Sequence, residues 1–142
     1  MIVDTTYLLP LARIGVDTDL LKAIAEGKTG LRLEDLTVNL ISTFELQAKA
    51  AKMNVPAEYA AEAVKTIHSA FRVEPFHRPE IIDTSFKLRK TIKDYMACVI
   101  VATAATLKED LATEDTLILA NKQQIKKQYS VDVLTYKDLV KT

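Results

Sequence analysis

Short apolar runs alternate along this chain with longer stretches in which apolar residues recur every three or four positions. The short runs are Met1–Val3, Thr37–Ser42, Asp110–Thr113 and Val131–Leu134, with a briefer alternating segment over Arg72–Phe76 that Pro79 closes off. These five read as strands, and the longer stretches as helices. A first helix begins near Thr5 or Thr6, with Pro10 early enough to be tolerated or to bend it. Thr18 reads as the N-cap of a helix through Glu26, which Gly27 ends. Arg32–Asp35 reads as a connection or a short helical turn. Helices follow over Thr43–Lys52 and Pro56–Ala70, forming a hairpin, and over Pro79–Lys90, Tyr95–Lys108 and Leu117–Gln128, with a last turn over Tyr136–Lys141. Met96–Ala102 is apolar on nearly every side, which predicts a central helix covered by others.

This alternation predicts an α/β fold with three layers, α/β/α, around a mainly parallel central sheet of four to five strands. Right-handed crossovers place the carboxyl ends of such strands on one edge. A length of 142 residues suits a single domain over 1–142 with a real core. The hydrophobic share of 49% and the charged share of 27% are those of a folded globular chain and argue against disorder. With 19 basic and 19 acidic residues the formal net charge is zero, so no overall field draws the chain to nucleic acid, although a local basic rim remains compatible. The single cysteine, Cys98, allows no intrachain disulfide and is expected to be a buried thiol. No signal segment is visible, and the longest apolar stretch, Tyr95–Ala102, is far short of the roughly 20 residues that span a bilayer. No membrane partner and a cytoplasmic location are therefore expected.

Four acids stand where the pattern turns toward helix: Asp4 after Ile2-Val3, Glu45 in Ser42-Thr43-Phe44-Glu45-Leu46, Asp94 before the most apolar helix, and Asp115 in Thr113-Glu114-Asp115. Each alone has an ordinary structural use, as an N-cap or as a partner of the helix dipole. Together, on the carboxyl edge of one sheet, they converge. Converging carboxylates repel one another unless a cation sits among them. A divalent ion in an all-oxygen site suggests phosphate chemistry. The nearby hydroxyls of Thr5, Thr6, Ser42, Thr43 and Thr113 suit the orientation of carboxylates, or helix capping and turns.

In these four patterns the chain resembles the PIN-domain nucleases, a family that includes the toxin ribonucleases of toxin–antitoxin pairs. The patterns are Val3-Asp4-Thr5 at the end of an N-terminal strand, Ser42-Thr43-Phe44-Glu45-Leu46, an Asp opening an Ala-rich apolar helix at Asp94, and Thr113-Glu114-Asp115. The resemblance implies hydrolysis of RNA phosphodiesters with Mg²⁺ or Mn²⁺ as cofactor. It implies an acidic set of Asp4, Glu45, Asp94 and Asp115, with Asp4, Asp94 and Asp115 as metal ligands. Thr113 is then a supporting hydroxyl, and Thr6 a weaker candidate for the same role. In-line attack by water, with Glu45 either accepting its proton or holding a second ion, leaves a 5′-phosphate and a 3′-hydroxyl. Glu114 departs from the pattern; it either adds charge to the pocket or faces water.

The expected substrate is single-stranded RNA. Arg13, Lys49, Lys52, Arg89, Lys90 and Lys93 are candidate phosphate contacts, and Arg89, Lys90 and Lys93 lead directly into Asp94. No array of interleaved aromatic and basic residues for stacking bases is visible. His68 and His77 lack a second His or Cys at ligand spacing and are expected in surface or structural roles. The hairpin over 43–70 carries Leu46, Val55, Tyr59, Val64 and Ile67, more apolar surface than one sheet face is expected to absorb, which predicts a homodimer or a bound antitoxin helix. The competing reading is a weakly active or inert PIN-like module that binds RNA or a protein partner. A phosphate-accepting receiver domain ranks lower, because Asp4 stands alone after the first strand.

Overall fold

The computed structural model describes residues 1–141. Five short strands form one sheet: β1 (Ile2–Val3), β2 (Thr37–Asn39), β3 (Arg72–Glu74), β4 (Leu111–Ala112) and β5 (Val133–Leu134). All four pairings are parallel and the order is β3-β2-β1-β4-β5. The expected α/β/α architecture with a parallel sheet is what the chain adopts, with every paired strand parallel.

Alternation along the strands builds two cores. Val3, Val38 and Ala112 face one side and pack with Tyr7, Leu8, Leu46, Ala63 and Ile67. Ile2, Leu111 and Val133 face the other and pack with Ile81, Ile100, Ile118 and Ile125. Successive strand residues point to opposite faces, so two-residue strands suffice to feed both layers. The first layer contains a 3-10 helix (Thr5–Ala12), α1 (Leu20–Ala25), α2 (Leu40–Lys52) and α3 (Ala57–Ala70). The second contains α4 (Pro79–Leu88), α5 (Tyr95–Leu107), α6 (Thr116–Ala120) and α7 (Lys122–Tyr129). A last turn, α8 (Tyr136–Leu139), packs against the first core. Among the described residues no helix is long and apolar enough to cross a membrane. Cys98 is fully buried, its thiol directed at the Ile92 carbonyl.

Several expected boundaries move, each for a local reason. The second strand ends at Asn39, not Ser42, because Asn39 caps α2: its Oδ1 accepts from the Ile41 amide at 2.8 Å. Leu40 and Ile41, apolar enough for a strand, are the first turn of the helix. Asp19 rather than Thr18 caps α1, accepting from the Lys22 amide. Leu117–Gln128 is two helices, broken at Asn121. The first helix is 3-10, with Pro10 inside it and Arg13 ending it in the left-handed region at φ 63°. The apolar side chains expected to crowd the hairpin are largely absorbed by the chain itself. Leu46 and Ile67 are fully buried, and Val55 and Val64 pack on the same core. Tyr59 is half-buried, and its ring lies under the Arg13 guanidinium at 3.8 Å, so this arginine is occupied in packing. Within the hairpin Phe44 and Met53 stay exposed, and outside it so do Phe76, Ile82, Phe86, Tyr95 and Met96.

One buried polar link ties the layers together beneath the carboxyl edge. Asn39 Nδ2 donates to Thr103 Oγ1 at 2.7 Å, and Thr103 Oγ1 donates to the Val99 carbonyl at 2.7 Å. Both side chains are fully buried, so their polar groups have no water to fall back on. Asn39→Ala removes the cap of α2 and strands Thr103. It is expected to cost about 1–3 kcal/mol in urea unfolding with an unchanged m value. An unchanged midpoint would show that this link carries no stability.

Candidate active site

Strand order places β2 and β3 on one side of β1 and β4 and β5 on the other. The chain thus switches direction between β1 and β4, the position where open α/β sheets leave a crevice at the carboxyl ends of their strands. Asp4 follows β1 there, and Thr113 follows β4.

Asp4 is only 9% exposed, and both of its oxygens are held. Oδ1 accepts from the Thr5 amide at 2.7 Å, and Oδ2 accepts from Thr113 Oγ1 at 2.6 Å. Thr113 Oγ1 also accepts from the Asp115 amide at 3.0 Å, so one hydroxyl joins the two acidic segments. Thr5 does the same on the other flank: its Oγ1 donates to Glu45 Oε1 at 2.7 Å. Asp94 and Asp115 cap α5 and α6. Asp94 Oδ1 accepts from Met96 and Ala97 at 3.0 and 3.3 Å. Asp115 Oδ1 accepts from Leu117 and Ile118 at 2.8 and 3.1 Å. Capping uses Oδ1 in each case and leaves Oδ2 without a partner among the described residues.

The four carboxylates share one electrostatic neighbourhood. Burial pushes the Asp4 carboxyl above its ordinary pKa; the bonds from Thr113 and Thr5 pull it down, and the charges of Asp115 and Asp94 push it up. Burial likewise raises Glu45, the Thr5 bond lowers it, and Asp4, Asp94 and Asp115 add repulsion. Thus the structure brings together Asp4, Glu45, Asp94, Asp115 and Thr113. Glu45 arrives by a different route from the other three. It lies in the second turn of α2, not at a strand-to-helix turn, and reaches the group through Thr5. The hydroxyl on that flank belongs to Thr5; among the described residues Thr6 makes no side-chain hydrogen bond. Ser42, one turn before Glu45, carries the only fully buried side-chain polar atom without a partner among the described residues.

Oxygen-only donors, mutual repulsion and unpartnered Oδ2 atoms on Asp94 and Asp115 fit a hard divalent cation. Among the described residues no three His, Cys, Asp or Glu side chains form a ready-made clasp. An ion that keeps several of its own waters needs only two or three carboxylates within reach, directly or through water.

Around this group, Arg89, Lys90 and Lys93 are exposed on the connection from α4 to Asp94, free of ion pairs with described residues. Glu114 is half-buried and bonded within the protein. Its Oε2 accepts from the buried Tyr7 hydroxyl and from the Tyr136 amide, tying the 3-10 helix to α8. Burial and that carboxylate push the Tyr7 phenol well above its ordinary value. His68 and His77 are exposed. A depression of about 250 Å³ has Glu45 in its wall, together with Phe44, Ala48, Lys49, Lys52 and Met96.

A buried acid thus stands at the switch point of a parallel α/β sheet, with three further acids in its electrostatic neighbourhood. The PIN domain family model matches residues 1–122, and the chain belongs to that family, whose members include nucleases. Solved structures agree on the fold. The chain is similar to a structure described as a toxin–antitoxin complex from Klebsiella pneumoniae, at 22% identity over 81% of this chain and 86% of that one, with a TM-score of 0.57. It is similar to FitAB bound to an IR36 DNA fragment, at 19% identity over 95% and 94%, with a TM-score of 0.63. It is similar to FitAcB from Neisseria gonorrhoeae, at 20% identity over 97% and 99%, with a TM-score of 0.66. No curated protein matches the chain.

Because folding raises the Asp4 pKa, the stability Asp4 contributes is fully present below its unfolded value. It is lost as pH rises through the folded value. Asp4→Asn keeps the shape and removes the buried charge. Without divalent ions, the variant is expected to melt above the wild type at neutral pH, with the gap closing as pH falls toward 3.8. Melting curves from pH 4 to 8 in EDTA would read this directly. A variant less stable than the wild type at every pH would make Asp4 a net structural support.

Proposed function

We propose that the chain is a metal-dependent endoribonuclease that hydrolyses RNA phosphodiester bonds as the toxin of a toxin–antitoxin pair. The observation that carries this is Asp4: a buried carboxylate held by Thr113 and Thr5 amid the charges of Glu45, Asp94 and Asp115. A fold is not well served by such a group unless something binds it. Membership of the PIN family and similarity to a structure described as a toxin–antitoxin complex support the same reading.

Asp4, Asp94 and Asp115 would hold Mg²⁺ or Mn²⁺. When bound, the cation supplies electrostatic stabilisation for charge developing on the phosphate and makes a water more acidic. Thr113 and the Thr5 amide fix the Asp4 carboxylate, so it does not reorganise during reaction. Glu45, longer and half-buried, accepts the proton of the attacking water. Its raised pKa brings it nearer the working pH of a general base. Thr5 Oγ1 orients Glu45 by binding Oε1, which leaves Oε2 for the water. Arg89, Lys90 and Lys93 bind phosphates of single-stranded RNA beside Asp94. Attack by water in line with the leaving 3′-oxygen gives a 5′-phosphate and a 3′-hydroxyl.

The protein would act as one domain over 1–142 in the cytoplasm, restrained by an antitoxin protein. Self-association is assigned to the exposed apolar side chains of the α4–α5 face rather than to the α2–α3 hairpin. There Phe86 and Tyr95 pack edge to face at 5.8 Å, beside a depression of about 440 Å³ lined by Pro79, Ile82, Asp83 and Phe86.

Labelled single-stranded RNA incubated with Mn²⁺ or Mg²⁺ tests the reading. Cleavage is expected to vanish in EDTA and to fall about a hundredfold or more in Asp94→Asn, with the fold intact by circular dichroism. Wild-type rates in folded Asp94→Asn would contradict it. Pure, folded, partner-free protein that cuts no RNA would leave an inert binding module.

A further inference from the structure

Phe44 is a large aromatic side chain left 60% exposed beside a functional acid, and neither core uses it. It immediately precedes Glu45 in α2. Across from it, Met96 is 38% exposed in the first turn of α5, two residues beyond Asp94. Ring and thioether line the depression of about 250 Å³ that also has Glu45 in its wall. Ala48, one turn after Phe44, leaves space beside the ring. Lys49 and Lys52 complete the lining; both are exposed, and among the described residues neither pairs with a carboxylate.

The helix dipole accounts for lysines in the last turn of α2. It does not account for a solvated phenyl ring and a thioether meeting one turn above them. We propose that this groove is a nucleotide subsite, in which Phe44 stacks on a base of single-stranded RNA, Met96 closes over the edge, and Lys49 and Lys52 bind the adjoining phosphates. The inference rests on the nuclease reading for its substrate and deepens it by naming where the strand runs. Charge decides the occupant. Two cations flank one ring-sized apolar face, which matches a base with its phosphates. A partner helix needs a longer apolar stripe, and the α4–α5 face offers a broader one in Ile82, Phe86 and Tyr95. Phe44 and Met96 come from separate helices, which is why no stacking array is visible along the chain.

The experiment is fluorescence anisotropy of a short labelled single-stranded RNA with Asp94→Asn protein, which is expected to bind without cutting, in the Phe44, Phe44→Ala and Phe44→Tyr forms. Phe44→Ala is expected to weaken binding about tenfold, with an unchanged melting temperature, and Phe44→Tyr to restore it. Lys49→Ala and Lys52→Ala should each weaken binding and flatten its salt dependence. An abasic site at one position of the RNA should weaken binding by the Phe44 form but not by Phe44→Ala. Equal RNA affinity with and without the ring would overturn the subsite; if the same variant instead lost an antitoxin, the groove would belong to that protein. Failure of the nuclease reading shows separately, as absence of wild-type cleavage. RNA that binds and responds to Phe44 without being cut retains the subsite, and RNA that does not bind at all overturns both.

Discussion

The bond from Thr113 Oγ1 to Asp4 Oδ2 crosses the one place in the sheet where the strand order reverses. Everything acidic in this molecule's central crevice is arranged around it. Burying a carboxylate is unfavourable because the interior solvates charge poorly, and the two bonds Asp4 receives only partly offset that. The sheet fixes where Asp4 stands, since β1 is the central strand and is flanked on both sides by parallel partners. The hydroxyls of Thr5 and Thr113 then extend the order outward, one to Glu45 and the other to the Asp115 backbone.

Helix capping and the proposed cation binding are compatible uses of the same side chains here. Asp94 and Asp115 each give Oδ1 to backbone amides of a helix start. That pins the carboxylate and leaves its other oxygen without a partner among the described residues. A cap alone would be served by serine or asparagine equally well. Two charged caps next to a buried Asp4 and a half-buried Glu45 concentrate negative potential that water and salt screen incompletely. The consequence is a charge repulsion at neutral pH that a bound divalent ion, as proposed, would relieve.

Much of the fold was legible because strand and helix periods differ clearly in this chain, and because Pro56, Pro79, Asp94 and Asp115 mark helix starts. Where the reading slipped, a polar side chain had a longer reach than the apolar pattern revealed. Asn39 ends β2 early because it bonds both the Ile41 amide and Thr103, a residue on a distant helix. That starts α2 three residues earlier and sets Glu45 in its second turn rather than its first. Thr5 rather than Thr6 carries the hydroxyl bond to Glu45, since a 3-10 helix turns its side chains faster than the α-helix the spacing suggested. Glu114 could be placed only once Tyr7 and Tyr136 were seen to meet it. The apolar hairpin surface was misjudged because burial against the 3-10 helix is a tertiary event with no local signature.

The most direct measurement of the proposed cation site is a Mn²⁺ titration followed by paramagnetic broadening of backbone amide NMR signals. The site predicts early, saturable broadening of Thr5, Met96, Ala97, Leu117 and Ile118, whose amides surround the four acids, and its loss in Asp4→Asn. Broadening spread over exposed acids such as Asp17 and Asp83, or unchanged in Asp4→Asn, would contradict it.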